Sequence, residues 1–153
     1  LIDHPQDPEN MLLEHSSVES DERLNLYRGE VATDARGYAT VSAPNWFESL
    51  NGNIQYQLTV VDEGDSDDFV QAKVVQRLKK GAFVIRTSSP NVVVNWQISG
   101  KRHDPAALHY PLQVERMKKP HERGKYLMPE VYGKGNERAM NPAPKAERNT
   151  ETP

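Results

Sequence analysis

Asn91-Val92-Val93-Val94-Asn95-Trp96-Gln97-Ile98-Ser99-Gly100 is the longest apolar run of the chain, and its reading decides the fold. Side chains alternate across a strand, so Val92, Val94, Trp96 and Ile98 share one face and Val93, Asn95, Gln97 and Ser99 the other. Pro90 and Gly100 punctuate its two ends. The run is too short for a long helix and its apolar side is β-branched and aromatic, which predicts a buried central strand with Trp96 as its anchor.

Working outward, Ile54–Val61 repeats the pattern: Ile54, Tyr56, Leu58 and Val60 face one way, Gln55, Gln57, Thr59 and Val61 the other. Ala82–Arg86 reads as a further strand, preceded by a Lys79-Lys80-Gly81 turn. Phe69–Leu78 alternates less cleanly, and Met11–His15 fits a first short strand. Arg28–Thr33 and Tyr38–Ser42 flank Asp34-Ala35-Arg36-Gly37, which has Asp at the start of a type I turn and Gly at its end; the pattern predicts a hairpin. Trp46, Phe47 and Leu50 fall on one side of a short helix of one to two turns that has Pro44 in its first turn and stops at Asn51-Gly52, with Gly52 in the position that follows a helix C-terminus. Trp46, Phe47, Tyr56 and Trp96 are the expected core anchors. Several short strands joined by turns predict an all-β fold, an antiparallel sandwich-like domain with one short helix.

The composition changes after Gly100. Seven of the eleven prolines lie beyond it, and periodicity is lost. The expected organisation is a lead-in segment over 1–27, a β domain over 28–100, an extended Pro-rich segment over 101–135 packed on itself or on a neighbour, and a disordered or loosely docked tail over 136–153. Apolar residues make up 36% of the 153, a thin supply for one core, and burial against other copies is one way to supplement it. Nineteen basic and 22 acidic residues leave a net charge of −3, without the basic field of a nucleic-acid binder. No stretch approaches 18 apolar residues, so no membrane-inserting helix is expected. Cysteine is absent, which excludes disulfide and thiol chemistry. The first residues lack a basic start and an apolar segment, and without an initiator methionine the chain reads as a piece of a longer protein.

Several segments run in a recognisable order: IDHPQDPEN at 2–10, HSSVES at 15–20, LYRGEVATDARGYATV at 26–41, WFESLNGNIQYQLT at 46–59, FVIRTSSPNVVVNWQISGKRHDPAA at 83–107 and ERGKYLMPEVYG at 122–133. Together they resemble a widespread C-terminal module of bacterial, phage and giant-virus surface and tail-fibre-like proteins, where it follows a long repetitive stalk. The resemblance covers residues 2–133 and fades beyond Gly133. It implies a homotrimeric fibre end at a cell surface or on a virion, working in adhesion or receptor binding and in trimer registration, with a glycan or protein receptor as partner. It carries no catalytic residues. A glycan-processing hydrolase and a structural cap without ligand are the alternatives.

Candidate chemistry is sparse. Asp3, His4 and Asp7 invite a general-base reading, but adjacent residues of an extended chain point apart, so His4 and Asp7 are expected to satisfy backbone groups around the Pro5 and Pro8 bends. His15, His103, His109 and His121 lack the spacing of a metal motif. Asp62–Asp68 holds five acids in seven residues but not the ligand order of a calcium loop, and reads as a solvated connection. No cofactor, metal or catalytic set is expected. Tyr110, Tyr126 and Tyr132, interspersed with Arg102, His103 and Arg123, are the candidate ligand-binding residues, because aromatic rings stack on sugar faces and cations beside them hold acidic groups. The competing expectation is that these tyrosines staple the C-terminal segment onto the β domain or across a subunit boundary.

Overall fold

The computed structural model of the chain describes residues 1–64 and 67–141, and the chain divides into two units, Leu1–Leu112 and Gln113–Pro153. The first unit is all-β. A two-stranded ribbon of β1 (Ile2–Asp3) and β2 (Leu12–Leu13) precedes six longer strands in two antiparallel sheets. One sheet has β8 (Val93–Arg102) between β3 (Leu24–Ala32) and β5 (Asn51–Val61); the other has β7 (Ala82–Thr87) between β4 (Tyr38–Ser42) and β6 (Ala72–Lys79).

The opening stretch is central, as its alternation predicts: β8 pairs along nearly all its length with β3 on one side and, across a register shift near Gly100, with β5 on the other. Val94 and Ile98 are completely buried, and they meet Ala39, Val41, Phe83 and Ile85 from the facing sheet. The inward residues of β5, Ile54, Tyr56, Leu58 and Val60, close over the same core. Two sheets each burying one alternating face against the other make a sandwich.

Trp96 differs from the expectation. It packs against the core but is half-buried, and the large side chains at the centre are Phe47 and Phe83. Phe83 holds the layers together: its ring meets Tyr56 edge-on at 5.3 Å and Trp96 at 5.8 Å. Of the other expected anchors, Phe47 is fully buried, Tyr56 packs half-buried with its hydroxyl accepting the Leu78 N–H at 2.7 Å, and Trp46 is half-buried.

The predicted hairpin is corrected. The Asp34–Gly37 turn forms as read: Asp34 Oδ1 accepts the Arg36 and Tyr38 N–H groups at 2.8 Å, and Gly37 takes φ +78°. Yet β3 and β4 do not pair, because β3 pairs with β8 and β4 with β7. The turn is a corner that carries the chain from one sheet to the other. A threonine clip fixes it: Thr33 N–H donates to Val92 O at 2.9 Å, Thr33 Oγ1 accepts from Val92 N–H at 2.9 Å, and Thr87 N–H donates to Gly37 O at 2.8 Å. The hairpin of the fold is β6–β7, where Lys80 (φ +54°) and Gly81 (φ +76°) make a two-residue connection between Lys79 and Ala82.

The helix, α1 (Phe47–Leu50), is one turn long and buries Phe47 and Leu50. Its predicted stop at Asn51-Gly52 holds, but the chain turns directly into a strand there. Asn51 caps the helix and begins β5 in extended conformation, Gly52 follows it inside that strand, and Asn53 takes a positive φ (+48°). Buried Asn51 accepts from Asn25 Nδ2 at 2.8 Å and donates to Phe47 O at 3.0 Å. Phe69 lies outside β6, which starts only at Ala72, and β3 begins at Leu24, upstream of the expected boundary at 28. A second short helix, α2 (Pro105–His109), is capped by Asp104.

Candidate functional site

The second unit holds no strand ladder among its described residues. Three 3₁₀ turns, Pro120–Glu122, Pro129–Tyr132 and Asn136–Arg138, build it. Proline starts the first two, where its missing N–H costs nothing and its fixed φ suits a helical first turn. Glu122 Oε2 accepts the Lys119 N–H at 2.9 Å, a bond that holds its carboxyl below the usual range. The segment closes on itself through Tyr126, whose N–H donates to Arg138 O and whose carbonyl accepts from Met140 N–H, both at 2.8 Å. Ala139 is buried there, so the part of the expected loose tail over 136–141 is ordered; residues 142–153 lie outside the described residues.

This closure shapes a groove of about 620 Å³. Its apolar lining comes from Tyr126, Leu127, Met128, Val131, Tyr132 and Met140, and Arg116, Lys118 and Glu122 add charge. The Tyr126 and Tyr132 rings lie 5.2 Å apart, and the Lys118 ammonium sits 5.1 Å from the Tyr126 ring. The apolar walls are open to solvent, with Leu127 78% and Val131 70% exposed. Over 113–141 seven lysines and arginines stand against four glutamates, so the surroundings are basic.

The residues singled out from sequence therefore separate. Tyr126 and Tyr132 come together in the groove, and Arg123 lies in the same unit with its Nε 3.4 Å from Lys118 O. Arg102, His103 and Tyr110 belong to the first unit. Arg102 is engaged structurally: Nε and Nη2 make a two-pronged pair with Asp104 at 2.7 and 2.8 Å. Burial pushes the Asp104 carboxyl up, and the Arg102 hydrogen bond and charge with the Ala107 N–H outweigh it, leaving Asp104 below the usual range. His103 lies against Gly52, and Tyr110 is exposed with its ring edge-on to His109 at 4.5 Å.

The histidine near the N-terminus behaves as the backbone reading expects. His4 is buried and its Nδ1 accepts the Gln6 N–H at 3.3 Å, whereas Asp7 departs from it: its Oδ1 accepts from the Asn10 side-chain amide, not from a backbone group. His15 pairs through Nε2 with the Tyr27 hydroxyl beside Trp46. Burial and then the Arg102 charge hold His15 below the usual imidazole range. Among the described residues no group of three or more His, Cys, Asp or Glu is gathered as metal ligands would be.

Two features escape a reading of single segments. The outward face of the β3–β8–β5 sheet carries the rows Arg28–Gln97–Gln57 and Glu30–Asn95–Thr59, which line a shallow cleft of about 470 Å³. Gln97 Nε2 donates to Gln57 Oε1 at 3.2 Å. These amides supply donors and acceptors but no nucleophile. The period-2 pattern marks the polar face of each strand, and only the register assembles it. The other feature is Phe69, 94% exposed beside the acidic connection. Among the described residues no helix is long and apolar enough to cross a membrane. Comparisons with protein-family models, curated proteins and solved structures return no match.

Proposed function

We propose that this chain is the distal module of a homotrimeric surface or tail fibre, in which the second unit registers the three chains and the β domain presents a receptor-binding surface. The observation that carries the reading is the second unit's composition in place. It leaves Val114, Met117, Leu127, Met128, Val131 and Tyr132 exposed, and its described backbone is held by three 3₁₀ turns and the Tyr126 closure. Apolar groups concentrated on so small a segment favour burial against another chain. The amide-rich face of the β3–β8–β5 sheet supports the receptor half of the reading, because its mixed donors and acceptors suit saccharide hydroxyls. The module acts by binding, at a cell surface or on a virion.

Light scattering on the full chain at micromolar concentration tests assembly. The expected mass is three times the 17.3 kDa of one chain, and a monomer overturns the fibre-end reading. Screening the same particle on immobilised glycans tests recognition. Binding that is lost in Gln97→Ala with the trimer intact is expected, and no binding to any glycan favours a cap or a protein receptor.

A further inference from the structure

Phe69 is the most exposed large apolar side chain among the described residues of the first unit. It stands at a defined place. Two residues on, Gln71 N–H donates to Ser88 Oγ at 3.0 Å and Ser88 N–H donates to Gln71 O at 2.9 Å, which fixes the base of the segment just before β6. Asp62, Glu63, Asp67 and Asp68 precede it in the chain. The result is an aromatic knob in an acidic setting, on a unit that carries sixteen acids against ten basic residues over 1–112.

The groove of the second unit is its complement in both respects. At about 620 Å³ it is wide enough for a phenyl ring and its flanking chain. Its walls offer the Tyr126–Tyr132 ring pair and the flexible thioethers of Met128 and Met140, surfaces that adapt to an aromatic guest. Arg116 and Lys118 line it, and Lys119 and Lys125 are close in sequence. The Glu122 carboxylate, which accepts the Lys119 N–H, keeps its charge and offsets one of the two cations, so the lining stays basic by one charge.

We propose that the groove receives Phe69 and its flanking carboxylates from a second copy of the chain. Each subunit then offers one knob, on its first unit, and one groove, on its second. Such a contact is heterologous, and it closes when the rotation between subunits returns to its start, as it does after three copies about a threefold axis. The proposal rests on the trimeric reading above and names the contact that makes the trimer.

The test uses the full chain and three variants. Phe69→Asp removes the knob; its exposure predicts an unchanged melting curve by circular dichroism, so loss of assembly is separable from loss of fold. Val131→Arg blocks the groove. Each alone should weaken association at least about thirtyfold by sedimentation, the scale of a central interface residue. An equimolar mixture of the two is the decisive measurement. One intact knob and one intact groove remain per pair, so a heterodimer should form and the ring should not close. Lys118→Glu should also weaken the trimer, and raising the sodium chloride concentration should weaken the parent. Variants that remain trimeric with parental affinity overturn the knob-in-groove contact and leave the fibre-end reading standing. A mixture that stays monomeric while the parent is trimeric overturns the head-to-tail arrangement. A parent that is itself monomeric overturns both.

Discussion

Replacing Gly29 by alanine tests where the largest ring of the central strand lies. Gly29 is the register partner of Trp96, and a Cβ at position 29 would stand 2.6 Å from Trp96 Cζ2, 2.9 Å from Cε2 and 3.1 Å from Nε1. Carbon atoms pack comfortably at about 3.5–4.0 Å, so the indole must withdraw by roughly 1 Å. That motion disturbs its edge-on contact with Phe83 at 5.8 Å. Overpacking of this kind costs about 1–3 kcal/mol. It is offset by the roughly 0.5–1 kcal/mol that alanine gains over glycine inside a strand. The expected net loss is about 1–2 kcal/mol, a fall in melting temperature of about 5–10 °C for a domain of this size. In a Trp96→Leu background the obstacle is gone and only the backbone gain remains, so the same substitution should stabilise by about 0.5–1 kcal/mol. Urea unfolding of the four proteins of this cycle therefore should show a coupling of about 2 kcal/mol. Equal effects of Gly29→Ala in both backgrounds would refute the placement of the indole over Gly29.

Three further outcomes are expected. Phe83→Ala removes a fully buried ring from between the sheets and should cost about 3–5 kcal/mol in chemical denaturation, more than Trp96→Ala, whose ring is only partly buried; the reverse order would move the core to Trp96. Asn25→Ala leaves the buried Asn51 Oδ1 without its donor and should cost about 1–3 kcal/mol, which Asn25→Ser partly recovers if its hydroxyl reaches the same oxygen. The pH dependence follows from His15, whose folded-state pKa lies below its ordinary value. Above about pH 6.5 it is neutral in both states; as pH falls the unfolded chain takes up the proton first, and stability drops until the folded form is also protonated. A second loss follows below about pH 4, as Asp34 and Asp104, both held below the usual carboxyl range, are protonated. Melting curves of His15→Gln should lack the first step, and an unchanged profile would remove His15 from the account.

The amino-acid sequence determines the strands and their faces. Alternation is local, and it places Val94 and Ile98 inside and Asn95 and Gln97 outside without reference to any partner. Turn chemistry is equally local, so Asp34–Gly37 and Lys80-Gly81 are legible where they stand. The pairing of strands is a different matter. The Asp34–Gly37 turn specifies a change of direction, but whether its flanks bond to each other depends on which edges β7 and β8 occupy, and those strands lie some fifty residues further on. Helix punctuation is legible at Asn51-Gly52, where the helix ends with the Asn51 N–H and Nδ2 both on Phe47 O; what the segment does not show is that a strand begins at the same residue. The candidate surfaces depend still more on tertiary structure. Tyr126 and Tyr132 are visible in the sequence as aromatic residues in a Pro-rich stretch, but the groove needs Met140 brought beside them by the closure at Tyr126. The amide face needs three strands in one register. A side chain's own preference is written in its immediate neighbours; a surface is made by residues that only the completed fold brings together.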